Sequence, residues 1–396
     1  MRLRKTCDDS AQPDRLNFAQ QPDLRHDHTR HSGSGGYAAR QPCRRGDAHA
    51  QTIQRDFLST VDAHAGCAGR TDSTTMLLKL LGVLALLLPT YLAAAAEQTF
   101  SAPKISEWQL PSPMFGRTAA AGPDGMIYIA VPNDNKVARF DPRTQSFRDW
   151  EMPRAHQPTS IVVDRNGTVW TTGYGNGTIA RLRPATGMIA EFSVPSAGGG
   201  PHSLVISEDG ETLWFTMQTG DKLGSLDTAT GRIAEYETSG NPSGIALDRA
   251  GNVWWCRSTD NKLGRMEPRS GKVSEVDLGR GSRPRRIAVS ADGMLWVTLY
   301  GKGQLVKVNP QTMKVVKTYP LHGGNAGAHS VAVDSAGAVW VNELKNDTVV
   351  RLDIATDAMQ TIRLPSPNNG VRHLVVDALG RVWYVGSHNG KLGVID

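Results

Sequence analysis

Cysteine is nearly absent from this chain. The 396 residues hold four, and Cys7, Cys43 and Cys67 all precede residue 76. Beyond that point Cys256 stands alone, so no intrachain disulfide can brace the fold and stability must come from packing. Cys256 itself reads as a small buried hydrophobe on a strand. A helical period is also missing: apolar residues do not recur at steps of three and four, which excludes a helical solenoid. Excess charge is missing too. The net charge of +6 falls to about +3 over residues 97–396, where 32 Lys and Arg face 29 Asp and Glu. That balance gives no ground for a nucleic-acid partner.

Long apolar runs are lacking with one exception, MLLKLLGVLALLLPTYLAAAAEQ, from Met76 to Gln98. It has one lysine, a leucine-rich centre and an Ala-x-Ala end before Glu97, which is the pattern of a secretory signal peptide cleaved after Ala96. The run is short and broken by Pro89, which disfavours a permanent membrane span. Residues 1–75 are polar and basic without apolar period, so they read as disordered or as upstream sequence preceding a true start at Met76. A cytoplasmic tail ahead of a membrane anchor is the alternative. The expected organisation is therefore an extension over 1–75, a signal peptide over 76–96 and one domain over 97–396, secreted or periplasmic and monomeric, with no membrane contact beyond the signal peptide.

What is present in that domain is a repeat. Pro242 to Leu278 reads as four short strands, SGIALD, NVWWCR, KLGRMEP and VSEVDL, separated by turn residues. The glycine that closes the first turn recurs at Gly125, Gly167, Gly210, Gly251, Gly293, Gly337 and Gly380, at spacings of 41 to 44 residues. An aromatic follows each: Tyr128, Trp170, Trp214, Trp254, Trp296, Trp340 and Trp383. One four-stranded sheet cannot bury both faces alone, whereas seven stacked around an axis can, so the fold class is all-β, a seven-bladed β-propeller. The aromatic column packs between sheets, and the repeated Asp-x-x-Gly is turn chemistry rather than metal binding. ISEWQLP at 105–111 looks like an outer strand without its blade, and LGVID at the C-terminus like a third strand without a fourth. Ile105–Leu110 is expected to complete blade seven, with Trp108 beside Leu392, leaving no open edge.

In such a ring the first strand of each blade lines the central channel. One row of first-strand positions holds Arg117, Thr159, His202, Ser243, Arg285, His329 and Arg372; the row three residues after each aromatic holds Val131, Gly173, Met217, Arg257, Leu299, Glu343 and Gly386. Polar groups converging on a channel mouth are a candidate binding site. His329 and Glu343 are symmetric about the blade-six turn and are expected to be cross-strand neighbours. An imidazole with a carboxylate suits a divalent ion or a general base. His373, His388 and His322 are further histidines of the last two blades, the last reading as solvated.

The repeated P-x-G-I, D-x-x-G-x-V/L-W and N-K-L/I-G-R units, clearest in PSGIALD, GNVWW and DNKLGR of blade four, resemble the streptogramin B lyase (virginiamycin B lyase) family over residues 105–396. The resemblance implies a monomeric propeller and a Mg²⁺-assisted elimination that opens a cyclic depsipeptide at its ester without adding water. A base removes the proton α to the carbonyl, and the metal stabilises the enolate-like charge. The family's blade-six Pro-His corresponds to Ala328–His329. Its blade-seven Glu-Pro-His falls on Gly370, Val371 and Arg372, with His373 one residue on. Strand alternation would turn His373 to the other face. The family's second metal-binding Glu falls near Gly386 and Ser387.

Three readings follow. In a lyase-like enzyme, His329 and His373 are the catalytic candidates, Glu343 the metal ligand and Mg²⁺ the cofactor, with His388 a second candidate for a displaced base. In a non-catalytic binder, Arg117, Arg285 and Arg372 grip an anionic small molecule or cyclic peptide at the channel mouth, with His202 and His388 as further ligand-binding positions. A lactonase-type metal propeller is the weakest, since the two rows offer only Glu343, with Asn342 nearby.

Overall fold

The computed structural model describes residues 101–111, 115–322 and 327–396. The extension and signal peptide expected over 1–96 lie outside the described residues. Within them the chain forms seven four-stranded antiparallel sheets. Six are consecutive in sequence. The seventh is built from Val371–Val376, Val382–Gly386 and Lys391–Ile395, and its outer strand is Ile105–Gln109. The register places Trp108 opposite Leu392, so the ring closes as the sequence implies. Trp108 stacks on Trp383 with centroids 5.9 Å apart and tilts against Phe140 of blade one at 4.9 Å. Glu107 fixes the same seam by accepting from Tyr384 Oη at 2.7 Å and Lys391 Nζ at 3.2 Å. Burial would raise its pKa, but these bonds and one from Ser366 hold it below the usual carboxylate value.

Each repeated residue has a physical task. The turn aspartate accepts backbone N–H groups of its own turn, as Asp248 does from Ala250 and Asn252. Its second oxygen reaches the aromatic: Trp254 Nε1 donates to Asp248 and Trp383 Nε1 to Asp377, both at 2.8 Å. Tyr128 donates to Asp124 in the same way. The third-strand arginine covers the ring, with Arg265 5.8 Å from the Trp254 centroid and Arg381 taking that place over Trp383 at 5.1 Å. Gly251, at φ 77°, closes its turn in a conformation that a β-carbon would strain. Cys256 is fully buried in the core between blades four and five.

One irregularity governs the channel. In blades two to seven the pairing of first and second strands slips by one residue near the start of the first strand, between Pro158 and Ile161 in blade two and between Ala328 and Val331 in blade six. A bulge at this point places two successive residues of each first strand along the channel. The unpaired N–H of the second is taken up by a buried polar residue of the second strand: Thr172 accepts from Ser160, Thr216 from Ser203, Thr298 from Arg286, and Asn342 from Ser330. The same side chains donate onward to the next blade, Thr172 to His202 O, Thr216 to Ser243 O, Thr298 to His329 O and Asn342 to Val371 O. This belt locks neighbouring inner strands together and satisfies groups that would otherwise be buried without partners.

Candidate functional site

The bulge changes which residues meet. Ala328, not His329, lies opposite Glu343. The Glu343 carboxylate is almost fully buried away from the channel. It accepts the His322 backbone N–H at 2.8 Å and a bond from Thr348. His329 and Glu343 are therefore not the facing pair that simple strand symmetry suggested. His329 turns to the channel, where its Nδ1 lies 3.1 Å from Arg372 O and its ring stands edge-on to Tyr300 at 6.2 Å. The same slip corrects the expectation for His373. It is not turned away but lines the channel interior beside Arg286, with its Nδ1 lacking a partner.

The upper ring gathers Arg117, His202, Arg285, His329 and Arg372. Arg117 Nη2 lies 3.3 Å from His202 Nε2 across the channel. Arginine can only donate, so Nε2 accepts, and the His202 Nδ1–H donates to Ser203 Oγ at 3.0 Å. That same hydroxyl accepts from Arg286 Nη1 at 2.7 Å. Arg286 occupies the second residue of the blade-five bulge, and the four guanidiniums all act on the buried imidazoles. Burial, followed by these like charges, holds His202 and His329 neutral, far below the ordinary histidine value. His373 is brought down to about 3, by burial and by Arg286. Burial and mutual repulsion lower Arg117 and Arg286 to about 10 each, which leaves both charged at neutral pH.

Among the described residues, no carboxylate is among the main groups that act on Arg117, Arg286 or Arg372, nor on His202, His329 or His373. Two tyrosines flank the mouth instead. Arg285 lies over the Tyr300 ring at 5.3 Å, and Tyr174 stands edge-on to His202 at 6.4 Å. His388 is exposed at the rim, packed over Gly370 and acted on by Arg372 and Asp347. Arg286, Tyr174 and Tyr300 were not singled out from sequence. The adjacent basic pair Arg285–Arg286 and the glycines around both tyrosines were the available signals.

The residues present do not fit a magnesium ion. Its ligands should be oxygen donors, mostly carboxylate, yet Glu343 is committed elsewhere and Gly386 and Ser387 stand where the family resemblance called for a glutamate. Among the described residues no three His, Cys, Asp or Glu side chains gather to hold a metal. The four guanidiniums would repel a divalent cation and attract an anion.

A seven-bladed propeller with a cationic channel is the class that fold and site define. Within it, the chain belongs to the virginiamycin B lyase family, whose family model matches residues 145–396. Virginiamycin B lyase of Nocardia farcinica (strain IFM 10152) is 31% identical over 187 residues, which cover 47% of this chain and 63% of that protein. The match thus spans less than two thirds of that relative. A streptogramin B lyase structure superposes with a TM-score of 0.69 at 22% identity, over 74% of this chain and 98% of the other. Virginiamycin B lyase from Staphylococcus aureus gives 0.68 at 19% identity, over 74% and 99%. An inactive variant of the Staphylococcus aureus enzyme, with quinupristin, gives 0.68 at 20% identity over the same shares. At these identities the structural likeness establishes the fold.

Proposed function

We propose that this protein is an exported propeller that holds an anionic ligand at its channel mouth, gripped by Arg117, Arg285 and Arg372. The observation that carries this reading is the set of four guanidiniums around one channel with no carboxylate, among the described residues, in the main groups acting on them. An anion bound there would replace mutual repulsion with charge-assisted hydrogen bonds, and Tyr174 and Tyr300 would cover its flanks. The signal-peptide pattern of Met76–Ala96 supports a secreted or periplasmic destination. Thermal unfolding at constant ionic strength tests the site. Phosphate and citrate should raise Tm above the value in chloride, and the Arg117→Gln, Arg285→Gln, Arg372→Gln triple variant should lose that difference.

Family membership favours a second reading, a carbon–oxygen lyase acting on a cyclic ester or depsipeptide. His329 at the mouth would take the proton α to the carbonyl while the β carbon–oxygen bond of the ester breaks and its carboxylate departs, and the surrounding guanidiniums would stabilise the enolate-like charge and the departing carboxylate. No metal enters this scheme. Incubation with a streptogramin B substrate, with and without chelator, would give a product of unchanged mass in both arms. A product heavier by one water, or none, would defeat this second reading and leave the first standing.

A further inference from the structure

Two histidines stand on the upper ring, and only one has both nitrogens engaged. His202 accepts from Arg117 at Nε2 and donates to Ser203 from Nδ1. His329 uses one nitrogen. Its Nδ1 lies 3.1 Å from the Arg372 carbonyl, which can only accept, so Nδ1 carries the proton. The neutral ring then leaves a lone pair on Nε2. That nitrogen has no protein partner among the described residues, and it is not sealed in the interior, since His329 is only partly buried.

The rest of the row offers nothing equivalent. Thr159 and Ser243 spend their hydroxyls on Thr172 and Ser258. Arg117, Arg285 and Arg372 can only donate. Among the described residues of the row, His329 Nε2 is thus the one open side-chain acceptor. It is flanked by cations of the adjoining blades, Arg285 of blade five and Arg372 of blade seven. Tyr300 ties the three together. Arg285 lies over its ring at 5.3 Å, His329 stands edge-on to it at 6.2 Å, and it acts electrostatically on both arginines.

We propose that the mouth recognises a hydroxylated di- or tricarboxylate, with carboxylates on Arg285 and Arg372 and a hydroxyl on the chain between them donating to His329 Nε2. This recognition rests on the anionic reading of the mouth and adds what the anion must carry. A fully ionised anion without a donor would bring only acceptor oxygens to the Nε2 lone pair. An ammonium could donate there, but four guanidiniums repel it. A hydroxyl donates without adding charge. His329 is then a specificity-determining residue of a site whose other members supply charge.

Calorimetric titration of the purified protein at about pH 8, above the carboxylate range, compares anions that differ by one group: citrate against tricarballylate, and malate against succinate and aspartate. Each hydroxyl should tighten binding about fivefold, the worth of one net hydrogen bond. Aspartate should bind more weakly than succinate. His329→Phe should erase the difference between citrate and tricarballylate. His329→Gln, whose amide can donate to the Arg372 carbonyl and accept from the ligand, should restore it. Equal binding of citrate and tricarballylate, aspartate binding as tightly as malate, or a preference that survives in His329→Phe would each overturn the proposal and leave the anionic reading standing. If no member of the series binds, the anionic reading falls and the proposal with it. The ligand pairs are compared on the unaltered protein, so misfolding of a variant would not remove the test.

Discussion

Arg117 and His202, eighty-five residues apart and two blades from each other, meet across the channel with Nη2 and Nε2 3.3 Å apart. The contact fixes the imidazole as an acceptor at Nε2 and hence as a neutral group. It also opens a chain of hydrogen bonds, Arg117 to His202 to Ser203 to Arg286, that runs from the mouth to the second row of bulge residues. His202→Phe removes both nitrogens and leaves the Arg117 guanidinium and Ser203 hydroxyl each short of a partner. A loss of about 1–3 kcal/mol is expected, read by urea unfolding, and anion-dependent stabilisation should shrink with it. His202→Gln, which can still accept and donate, should restore most of both.

Stability should fall with acid in a window that the channel histidines set. In the folded state His202, His329 and His373 are held well below the ordinary value, by burial first and then by neighbouring guanidiniums, all four for His202 and His329 and Arg286 alone for His373. The unfolded chain therefore binds more protons between about pH 6.5 and the folded pKa values. Stability is fully present above about pH 6.5 and drains as pH drops. Each such histidine contributes a slope of up to about 1.4 kcal/mol per pH unit. Unfolding free energies from pH 7.5 to 5 should show this decline, and His373→Asn should flatten it. A curve level across that range would contradict buried neutral histidines.

The seam between the chain's ends should behave as part of the core. Trp108 fills space between Trp383 and Phe140, so Trp108→Ala is expected to cost roughly 3–5 kcal/mol. Trp108→Phe should cost clearly less. Equilibrium unfolding of the two variants distinguishes a packed closing strand from a loosely tethered one.

Glu343 should prove structural. Its carboxylate ties the His322 backbone to Thr348, so Glu343→Gln is expected to lower stability by about 1–3 kcal/mol. The response of Tm to phosphate or citrate should be unchanged. A specific loss of anion response, with stability intact, would place Glu343 back at the site.

The periodic parts of this structure were legible from the residues alone. An aromatic recurs in all seven blades, and a turn aspartate and a third-strand arginine in most, because the blades face the same packing problem; Trp108 could be matched to Leu392 because each end of the chain carried an incomplete unit. The upper row of the candidate site was legible as a row, since Arg117, Arg285 and Arg372 fall at equivalent repeat positions. What escaped was the bulge. Strict alternation made His329 face Glu343 and turned His373 away. An extra residue in the first strands of blades two to seven reverses both conclusions and brings Arg286 into the channel. Its signal lay in the second strands, where Thr172, Thr216, Thr298 and Asn342 occupy positions a plain buried strand would fill with hydrocarbon.

The central claim is that the channel is an uncompensated cluster of positive charge awaiting an anion. Thermal unfolding of the purified protein in chloride, phosphate and citrate at equal ionic strength tests it most directly. A ligand present at a hundred times its Kd adds about 2.7 kcal/mol to stability. The expected result is a rise in Tm with phosphate or citrate that vanishes in the Arg117→Gln, Arg285→Gln, Arg372→Gln variant. Identical Tm values in all three salts, or an equal rise in the variant, would contradict it.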